Sequence, residues 1–458
     1  MVLHECALKL NMRLVTKAFL VFAVCFVALL MMAVHFTNFQ NEHMQKPKSV
    51  LVVMPKSRKG GKLPGVAKRP QNLVNVALVA QRLIDRKLKT LNFTTYSNKR
   101  HRALVDALLA DSKPLENFKG MPWPIAARWV TPREVLPYSA PELGTVMSAM
   151  CNAPLMKADV GHRGTQLKLQ LLLEGGQYAV FKPKRYERHQ VIEGSPYAGA
   201  DRHNGEIAAF HLSRLLALRR TPIAVGKKLN LKKVILPVAT QTLAETFFKE
   251  GNKTCFYGRC HYCSPKYAAC TEGEEIEGVL ILWLPRLYVL KLHRSPWQRT
   301  YKKGTLAAWE LDPDYCAIVR GSPLYKNGSR LLDLVDAAVF DYLIGNADRH
   351  HYETFAEYPG SMVLLLDNGK SFGNPHLDEV TILAPLYQCC TIRNSTFARL
   401  KMFTNVLGTS LDRLLSTDPL FPVLTQQHLE ALDRRLKAVI AAVHVCIDRH
   451  GSSTLASS

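Results

Sequence analysis

Acidic residues, glycine and proline are all sparse in this sequence. It has 37 Asp and Glu against 60 Lys and Arg, which gives a formal net charge of +23, but only 21% of its residues are charged. That low charged fraction excludes a basic protein of the ribosomal kind. With 26 Gly and 25 Pro among 458 residues and 47% hydrophobic residues, the chain is neither collagen-like nor wholly disordered. The composition allows one large or two medium folded domains, and we find no internal repeat.

The positive charge is concentrated in one short stretch of the chain. Between His43 and Arg102 there are 15 Lys and Arg residues and a single acid, Asp85. Such a block is typical of a solvated stem, and the alternative is an electrostatic docking surface for an acidic partner. We expect no nucleic-acid partner.

Only one apolar run in the sequence is long enough to cross a membrane. It covers residues 18–36 without a charge, which reaches the lower limit of a span of about 17–25 residues. It lacks the shorter apolar core and the cleavage site of a signal peptide. Lys9, Arg13 and Lys17 precede it, and local positive charge stays in the cytosol. We therefore predict a cytoplasmic tail at 1–17, a single-pass type II signal anchor and a lumenal body. We expect the Golgi membrane, with the endoplasmic reticulum as the alternative.

Two further features fit an oxidising and glycosylating lumen. Asn-x-Ser/Thr acceptors occur at Asn92, Asn252, Asn327 and Asn394. Nine of the eleven cysteines follow the apolar run, which leaves one odd thiol if the others pair. These nine are Cys151, Cys255, Cys260, Cys263, Cys270, Cys316, Cys389, Cys390 and Cys446.

Four of the cysteines are close together in the sequence, from Cys255 to Cys270. Four thiolates can bind a tetrahedral zinc ion. In a lumenal protein the spacing fits two nested disulfides better, so we favour the disulfides and keep zinc as the alternative.

Sequence patterns predict a two-lobed α+β body after a basic stem. The stem and the start of the lumenal region cover 37–121, with an amphipathic helix around Val74–Leu88, and compact structure should begin near Pro122. Strand patterns come first and helical patterns follow, which favours an α+β fold. The predicted elements are a hairpin over 166–173 and 177–182, a helix over 204–218, a strand over 279–284, a helix over 330–344, a strand over 362–366 and a helix over 427–446.

The densest polar segment, Gly345–Glu353, directly follows the most apolar predicted helix. Glu353 comes five residues after Asp348, and Asp367 stands 14 residues further on, at the end of an apolar strand and before Asn-Gly. A protein-kinase catalytic loop has this layout, with a base, a metal-side ligand and a metal-binding Asp before Gly. Here the order is Asp-Arg-His rather than His-Arg-Asp, Glu353 replaces Asn, and no Phe follows Asp367. A capped surface turn is the alternative.

Four longer motifs resemble one family of kinases. They are GNADRHHYETF at 345–355, LDNGKSFGN at 366–374, APLYQCC at 384–390 and RHNGEIAAFHLSR at 202–214. Over roughly Pro122–Gly451 the sequence resembles the secretory-pathway kinases that include the Golgi casein kinase and glycosaminoglycan xylosylkinase. That resemblance implies an atypical two-lobed protein-kinase-like fold. Its parts would be a β-rich amino-terminal lobe at 122–285, a helical carboxyl-terminal lobe at 286–451 and a flexible tail at 452–458.

The same resemblance implies a role for each polar residue of the site. Asp348 matches the catalytic Asp, and Asp367 matches the Asp that binds metal and nucleotide. Asp201 matches the acid that shares the metal, and Glu353 matches a nucleotide-side acid. Lys182 and Gln166 match residues on the phosphate and nucleotide side, and Lys168 matches a further lysine near the phosphates. The segment whose backbone holds adenine is matched by Ile281, Leu282, Trp283 and Leu284. The implied cofactors are ATP and Mn²⁺, with Mg²⁺ as the alternative.

Several of these residues also have simpler structural roles open to them. Lys182 could be a solvated lysine at a strand end, and Asp201 could be the N-cap of the helix that follows it. Glu206, one turn inside that helix, could pair with a lysine of the lobe or be surface charge. His350 and His351 could suggest a metal, but we expect adjacent imidazoles to be packing residues.

The resemblance also bears on the disulfides. Adjacent Cys389 and Cys390 cannot easily bridge one another, so each should reach a distant partner. The two nested disulfides are predicted as Cys255–Cys270 and Cys260–Cys263. Resemblance and elimination together imply Cys316–Cys389 and Cys390–Cys446, with Cys151 unpaired.

Within the family the sequence looks closest to the xylosylkinase branch. The markers are APLYQCC, KSFGN and Asp201-Arg-His-Asn, where the protein-kinase branch is expected to have Glu at position 201. The branch implies transfer of the γ-phosphate of ATP to the 2-hydroxyl of xylose in the glycosaminoglycan–protein linkage region of proteoglycans. The alternatives are a secretory serine/threonine protein kinase and, from another class, a non-catalytic activator of a related kinase. The implied partners are the linkage-region oligosaccharide on core proteins, the membrane through the anchor, and a second copy or a related kinase in a dimer.

Overall fold

The computed structural model describes residues 75–96, 100–116, 118, 120–161, 164–302 and 304–457. The predicted cytoplasmic tail at 1–17, the signal anchor at 18–36 and the stem up to residue 74 lie outside the described residues. Within the described ranges, no helix combines the length and the apolar composition that a membrane span requires.

Packing begins well before Pro122, so the predicted start of compact structure was wrong. The predicted amphipathic helix is confirmed as α1 (Val76–Thr90), which buries one face that includes Ile84. The same core takes in Val105 of α2 (Arg100–Asp111). Composition misled the prediction because the basic side chains of α1 are mostly exposed, while its apolar face packs on the carboxyl-terminal helix.

Five antiparallel strands form the sheet of the amino-terminal lobe. They are β1 (Leu155–Val160), β2 (Leu169–Leu173), β3 (Gln177–Pro183), β4 (Ala224–Asn230) and β8 (Glu275–Leu282), in the order β1-β2-β3-β8-β4. The predicted hairpin is confirmed, with Leu169 opposite Phe181. Gly175 and Gly176 in its turn have φ of 83° and 82°, a left-handed conformation that glycine adopts without steric cost. The strand predicted over 279–284 is the second half of β8.

One buried helix, α5 (His203–Leu215), connects this sheet to the second lobe. All 13 of its residues are buried, because it packs on β4 and β8 and also on helices of the carboxyl-terminal lobe. It matches the helix predicted over 204–218 but ends earlier. The lobe also contains α3 (Pro122–Trp129), α4 (Leu143–Asn152), α6 (Gln241–Ala244) and a small sheet of β5 (Phe247–Glu250), β6 (Lys253–Phe256) and β7 (Ala269–Cys270).

The carboxyl-terminal lobe is mainly helical. Its helices are α7 (Ala308–Leu311), α8 (Tyr315–Gly321), α9 (Pro323–Lys326), α10 (Arg330–Ile344), α11 (Ala384–Cys389), α12 (Asn394–Met402), α13 (Leu407–Leu415) and α14 (Gln426–His450), and its strands are β9 (Leu290–Arg294), β10 (His351–Phe355), β11 (Ile392–Arg393) and β12 (Leu455–Ala456). The helix predicted over 330–344 is confirmed, and Gly345 ends it at φ 70°. The helix predicted over 427–446 is confirmed as α14, which continues to His450. The prediction of a flexible tail at 452–458 was wrong for its first part, because β12 pairs with β11 and Thr454 is buried.

The segment 362–366, predicted as a strand, is buried but does not join a sheet. A single β-bridge, between Glu353 and Leu364, is its only ladder contact among the described residues. Three other N–H groups of the segment donate to separate partners. The N–H of Met362 donates to the carbonyl of Pro132, that of Val363 to the carboxylate of Asp333 and that of Leu365 to the carbonyl of Arg220. An apolar run indicates burial, but it cannot show whether a neighbouring strand supplies the hydrogen bonds.

The disulfides join the four predicted pairs. They are Cys255–Cys270, Cys260–Cys263, Cys316–Cys389 and Cys390–Cys446. The thiol of Cys151 is free. Because all four clustered cysteines are bonded in pairs, the zinc alternative does not fit the structure.

The four predicted glycosylation acceptors all lie on the surface. Asn92, Asn252, Asn327 and Asn394 are exposed. Their exposure permits modification, and glycosylation itself stays a prediction.

Candidate active site

A buried lysine, Lys182 near the end of β3, gathers three carboxylates between the lobes. Its Nζ donates hydrogen bonds to Oδ2 of Asp201 at 2.9 Å, to Oε1 of Glu206 at 2.6 Å and to Oδ1 of Asp367 at 2.7 Å. The structure therefore brings together three of the predicted site residues. Glu206, which the sequence left between two roles, joins them, and neither Lys182 nor Glu206 is a surface charge.

Two elements of the fold deliver these carboxylates. Asp201 comes just before α5 and Glu206 lies one turn inside it. Both side chains therefore come from the amino-terminal end of this helix. The helix cap is Arg202, which makes no side-chain capping bond, and the carboxylate of Asp201 is bonded to Lys182. The N-cap alternative for Asp201 therefore does not hold. Asp367 arrives from the other lobe, at the end of the extended segment 362–366.

The electrostatics of this cluster are dominated by the ammonium of Lys182, which is bonded to three carboxylates, with Lys168 and Arg349 acting from further away. Burial alone would lower the pKa of Lys182, but the charges of Asp201, Asp367 and Glu206 outweigh it and hold that pKa well above its ordinary value. The ammonium of Lys182 in turn holds the pKa of Asp367 far below its usual range. The side chain of Asp367 is 69% exposed, whereas those of Asp201 and Glu206 are 7% and 5% exposed. Asp367 is thus the carboxylate that faces solvent.

Asp348 lies on the short loop that follows α10 and Gly345, the residue that ends this helix. Asn346 fixes this loop, because its Oδ1 accepts from the N–H of Asp348 at 3.1 Å while its own N–H donates to the carbonyl of Asp341 at 2.8 Å. The side chain of Asp348 remains 26% exposed. Its Oδ1 accepts a hydrogen bond from the hydroxyl of Tyr301 at 2.6 Å. A fixed, accessible carboxylate of this kind can take a proton from a hydroxyl that reaches it.

Arg349 connects the Asp348 loop to the segment that carries Asp367. Its guanidinium pairs with Asp341 through Nε to Oδ2 at 2.6 Å and Nη2 to Oδ1 at 2.8 Å. Nη2 also donates to Oδ1 of Asn368 at 2.7 Å, next to Asp367. Sequence reasoning missed this link. The available signal was that Asp341 lies, with Asp333 and Asp336, in a helix whose other residues are mainly apolar, because a buried carboxylate needs a partner.

The other predicted residues lie around this cluster. Glu353 is on β10, where its carbonyl accepts from the N–H of Leu364 at 3.0 Å, three residues before Asp367. Lys168 is partly buried, and burial followed by the charge of Lys182 lowers its pKa. Gln166 lies half-buried before β2 and makes no described hydrogen bond to the Lys182 cluster.

The inter-lobe segment Ile281–Leu284 begins inside β8 and leaves the sheet at Trp283. The N–H of Trp283 donates to the carbonyl of Tyr178 at 3.0 Å, and its carbonyl accepts from the side chain of Gln177 at 3.1 Å. Both backbone groups of Trp283 are therefore engaged within the protein. The N–H of Trp283 is therefore not free to contact adenine, whereas its carbonyl keeps a second lone pair.

The donor set of the cluster suits a hard divalent cation. Asp201 and Asp367 offer carboxylate oxygens only, which suits Mn²⁺ or Mg²⁺ rather than a softer metal. The adjacent imidazoles do not compete for that role. Nδ1 of His350 lies 2.7 Å from the carbonyl of Asp348, and the His350 ring packs edge-on to His351 at 4.5 Å. The expectation that these histidines are packing residues agrees with the contacts.

Comparison with known proteins identifies the family. The model of the carboxyl-terminal domain of the Golgi casein kinase, Fam20, matches residues 121–455. The chain belongs to this family. It is 54% identical over 357 residues to a human glycosaminoglycan xylosylkinase, an overlap that covers 78% of this chain and 87% of the human protein. The resemblance noted from the sequence motifs is therefore confirmed.

Solved structures of the family show the same fold. A structure of hydra Fam20 with sugar superposes with a TM-score of 0.72 and 47% identity, covering 74% of this chain and 98% of the hydra chain. The Golgi casein kinase with Mn/ADP bound superposes with a TM-score of 0.71 and 29% identity, covering 86% and 96%. The two-lobed kinase-like fold of this Fam20 chain is thus shared with both.

Proposed function

We propose that this chain is a lumenal kinase that transfers the γ-phosphate of ATP to the 2-hydroxyl of xylose in the glycosaminoglycan–protein linkage region of proteoglycans. One observation carries the proposal. The Lys182 cluster joins both lobes at the carboxylate of Asp367, and Arg349 fixes the Asp348 loop to the residue next to Asp367. A phosphate-side cation, metal-side oxygens and an accessible base are the parts that phosphoryl transfer requires.

Each side chain has a defined task in that reaction. Oδ1 of Asp348 orients the acceptor hydroxyl and takes its proton as the new bond to phosphorus forms. Lys182 supplies positive charge for the phosphates. Arg349 holds the Asp348 loop and the Asp367 segment in fixed relative positions. Asp201 and Asp367 would hold Mn²⁺, or Mg²⁺, which when bound neutralises charge on the phosphates.

A sugar acceptor is favoured over a protein acceptor on two grounds. The chain shares 47% identity with the hydra protein solved with sugar and 29% with the Golgi casein kinase. It also has Asp at position 201, where the protein-kinase branch is expected to have Glu. A non-catalytic activator is disfavoured because Asp201, Asp348 and Asp367 are all present.

The location of the protein belongs to the same proposal. The apolar run at 18–36 with basic residues before it supports a type II anchor in the Golgi membrane. Four disulfides among described cysteines support an oxidising lumen. Microscopy of a tagged chain, with protease protection of the carboxyl-terminal end, tests this assignment.

The decisive experiment compares acceptors with the base present and absent. Purified protein with labelled ATP and Mn²⁺ should phosphorylate a galactosyl-xylose acceptor and leave casein unlabelled. Asp348→Ala should reduce that transfer by about 100-fold or more, because a general base typically contributes that much. ATP binding should persist, since Asp348 is not part of the Lys182 cluster.

A matched control keeps this test specific. Asp314→Ala removes an exposed carboxylate of the same lobe and should leave transfer unchanged. Labelling of casein in place of the disaccharide would support the protein-kinase alternative. Full turnover by a folded Asp348→Ala protein would show that another group is the base.

A further inference from the structure

Tyr301 makes a contact with the catalytic base that the proposed reaction does not use. It lies in the loop between β9 and α7, and its hydroxyl donates to Oδ1 of Asp348 at 2.6 Å. An acceptor hydroxyl must reach the carboxylate of Asp348 in order to lose its proton. The phenol therefore occupies one of the two carboxylate oxygens that an acceptor hydroxyl could use.

The protein holds Tyr301 there by several contacts. Its backbone has φ 57°, a left-handed conformation that a bulky residue adopts only when its surroundings impose it. The ring packs edge-on against Tyr197 at 4.8 Å and against His350 at 5.7 Å. Burial and the neighbouring Asp348 raise the pKa of the phenol, so the hydroxyl stays protonated and acts as the donor.

The phenol is also placed so that it can leave. Tyr301 is 38% exposed, and it lines an open cleft whose wall includes Trp297, Arg299 and Trp309. A side chain at the edge of an open cleft can rotate without disturbing the core. The cleft also borders Asn346, Arg349 and His350 of the loop that carries Asp348.

We propose that Tyr301 is a specificity-determining residue whose hydroxyl occupies the acceptor position on Asp348 and keeps water from it until a sugar hydroxyl takes its place. The inference rests on the proposed kinase function. Without such a residue, water could attack the γ-phosphorus, lose a proton to Asp348 and break the bond to the bridging oxygen, giving ADP and inorganic phosphate. A sugar with several contacts in the cleft can displace the phenol, whereas a lone water cannot.

Tyr301→Phe tests this directly, because it removes the hydroxyl and keeps the ring packing. Inorganic phosphate release from ATP and Mn²⁺ without acceptor should rise about tenfold, the factor given by loss of one hydrogen bond to a charged group. The KM for the galactosyl-xylose acceptor should fall by a similar factor, since the acceptor no longer competes with the phenol. The kcat for transfer should change little.

Two controls separate this role from a general loosening of the loop. Tyr197→Phe removes a hydroxyl from the ring beside Tyr301 and should leave phosphate release at the wild-type level. In Asp348→Ala the additional Tyr301→Phe change should have no effect on phosphate release, because the base is gone. Unchanged hydrolysis and unchanged acceptor KM in Tyr301→Phe would overturn the inference, while loss of transfer in the wild-type protein would instead overturn the proposed function.

Discussion

At the scale of single residues, the charge balance of the Lys182 cluster is its most informative property. Three carboxylates share one ammonium, and two of the three are nearly inaccessible. Lys168 and Arg349 also act on these carboxylates, and ATP would add negative charge that a bound divalent cation would neutralise. The exposed carboxylate of Asp367 lets such a cation enter from the cleft. The cluster thus favours metal with ATP over ATP alone.

Substitution at Asp201 tests that conclusion. Asp201→Asn keeps the shape of the side chain but removes one metal-side charge, so Mn²⁺-dependent ATP binding should weaken by at least about tenfold. Asp201→Glu keeps the charge but adds a methylene in a site that is 7% exposed, and should reduce turnover without abolishing it. Titration of ATP with and without Mn²⁺ into both variants measures the difference. Wild-type affinity in Asp201→Asn would place the metal elsewhere.

At the scale of elements, the site depends on how closely the segment after Asp367 approaches the start of α5. A Cβ built on Gly369 would lie 2.7 Å from Cβ and Cγ of Asp201, closer than carbon atoms approach. The N–H of Arg202 donates to the carbonyl of Gly369 at 2.7 Å, which fixes this approach. The Asn-Gly after Asp367 therefore serves the packing of the metal-side acid.

Gly369→Ala should consequently displace Asp201 and lower the rate of transfer by about 10- to 100-fold, the cost of a small misplacement of a catalytic group. The free energy of unfolding should fall by about 1–3 kcal/mol from overpacking. Gly360→Ala is the matched control, because its Cβ would meet no heavy atom within 4 Å. Equal activity of the two variants would show that Asp201 tolerates the shift.

Some elements of the fold and the site could be predicted from the sequence, and others could not. The β2–β3 hairpin and α10 were predictable because turn glycines and local apolar patterns define them. Lys182, Asp201 and Asp367 were found through motif resemblance. Tyr301 was missed because its contact with Asp348 joins positions 47 residues apart. A local sequence pattern cannot predict a contact over that separation, because the two residues come together only in the folded chain.

At the scale of the whole molecule, a buried carboxylate ties the two lobes together away from the site. Asp418 lies between α13 and α14, and its Oδ2 accepts from the N–H of Gly226 on β4 at 2.8 Å. Its Oδ1 accepts from the N–H of Leu420 at 2.8 Å. Asp418 is 4% exposed, so these two N–H groups compensate only part of the cost of burying its charge.

That burial makes the stability of the molecule depend on pH in a defined direction. Burial raises the pKa of Asp418 from 3.8 to about 6. Between these values the folded protein binds a proton that the unfolded chain has lost, so the free energy of unfolding falls as the pH rises from about 4 to 7. The contribution of this group is about 3 kcal/mol, from 1.4 kcal/mol per pKa unit.

Substitution of Asp418 tests this dependence. Asp418→Asn cannot titrate, so its free energy of unfolding, measured in urea with the disulfides intact, should decline less steeply over that pH range. Parallel curves for wild type and variant would show that the carboxyl keeps its ordinary pKa in the folded protein.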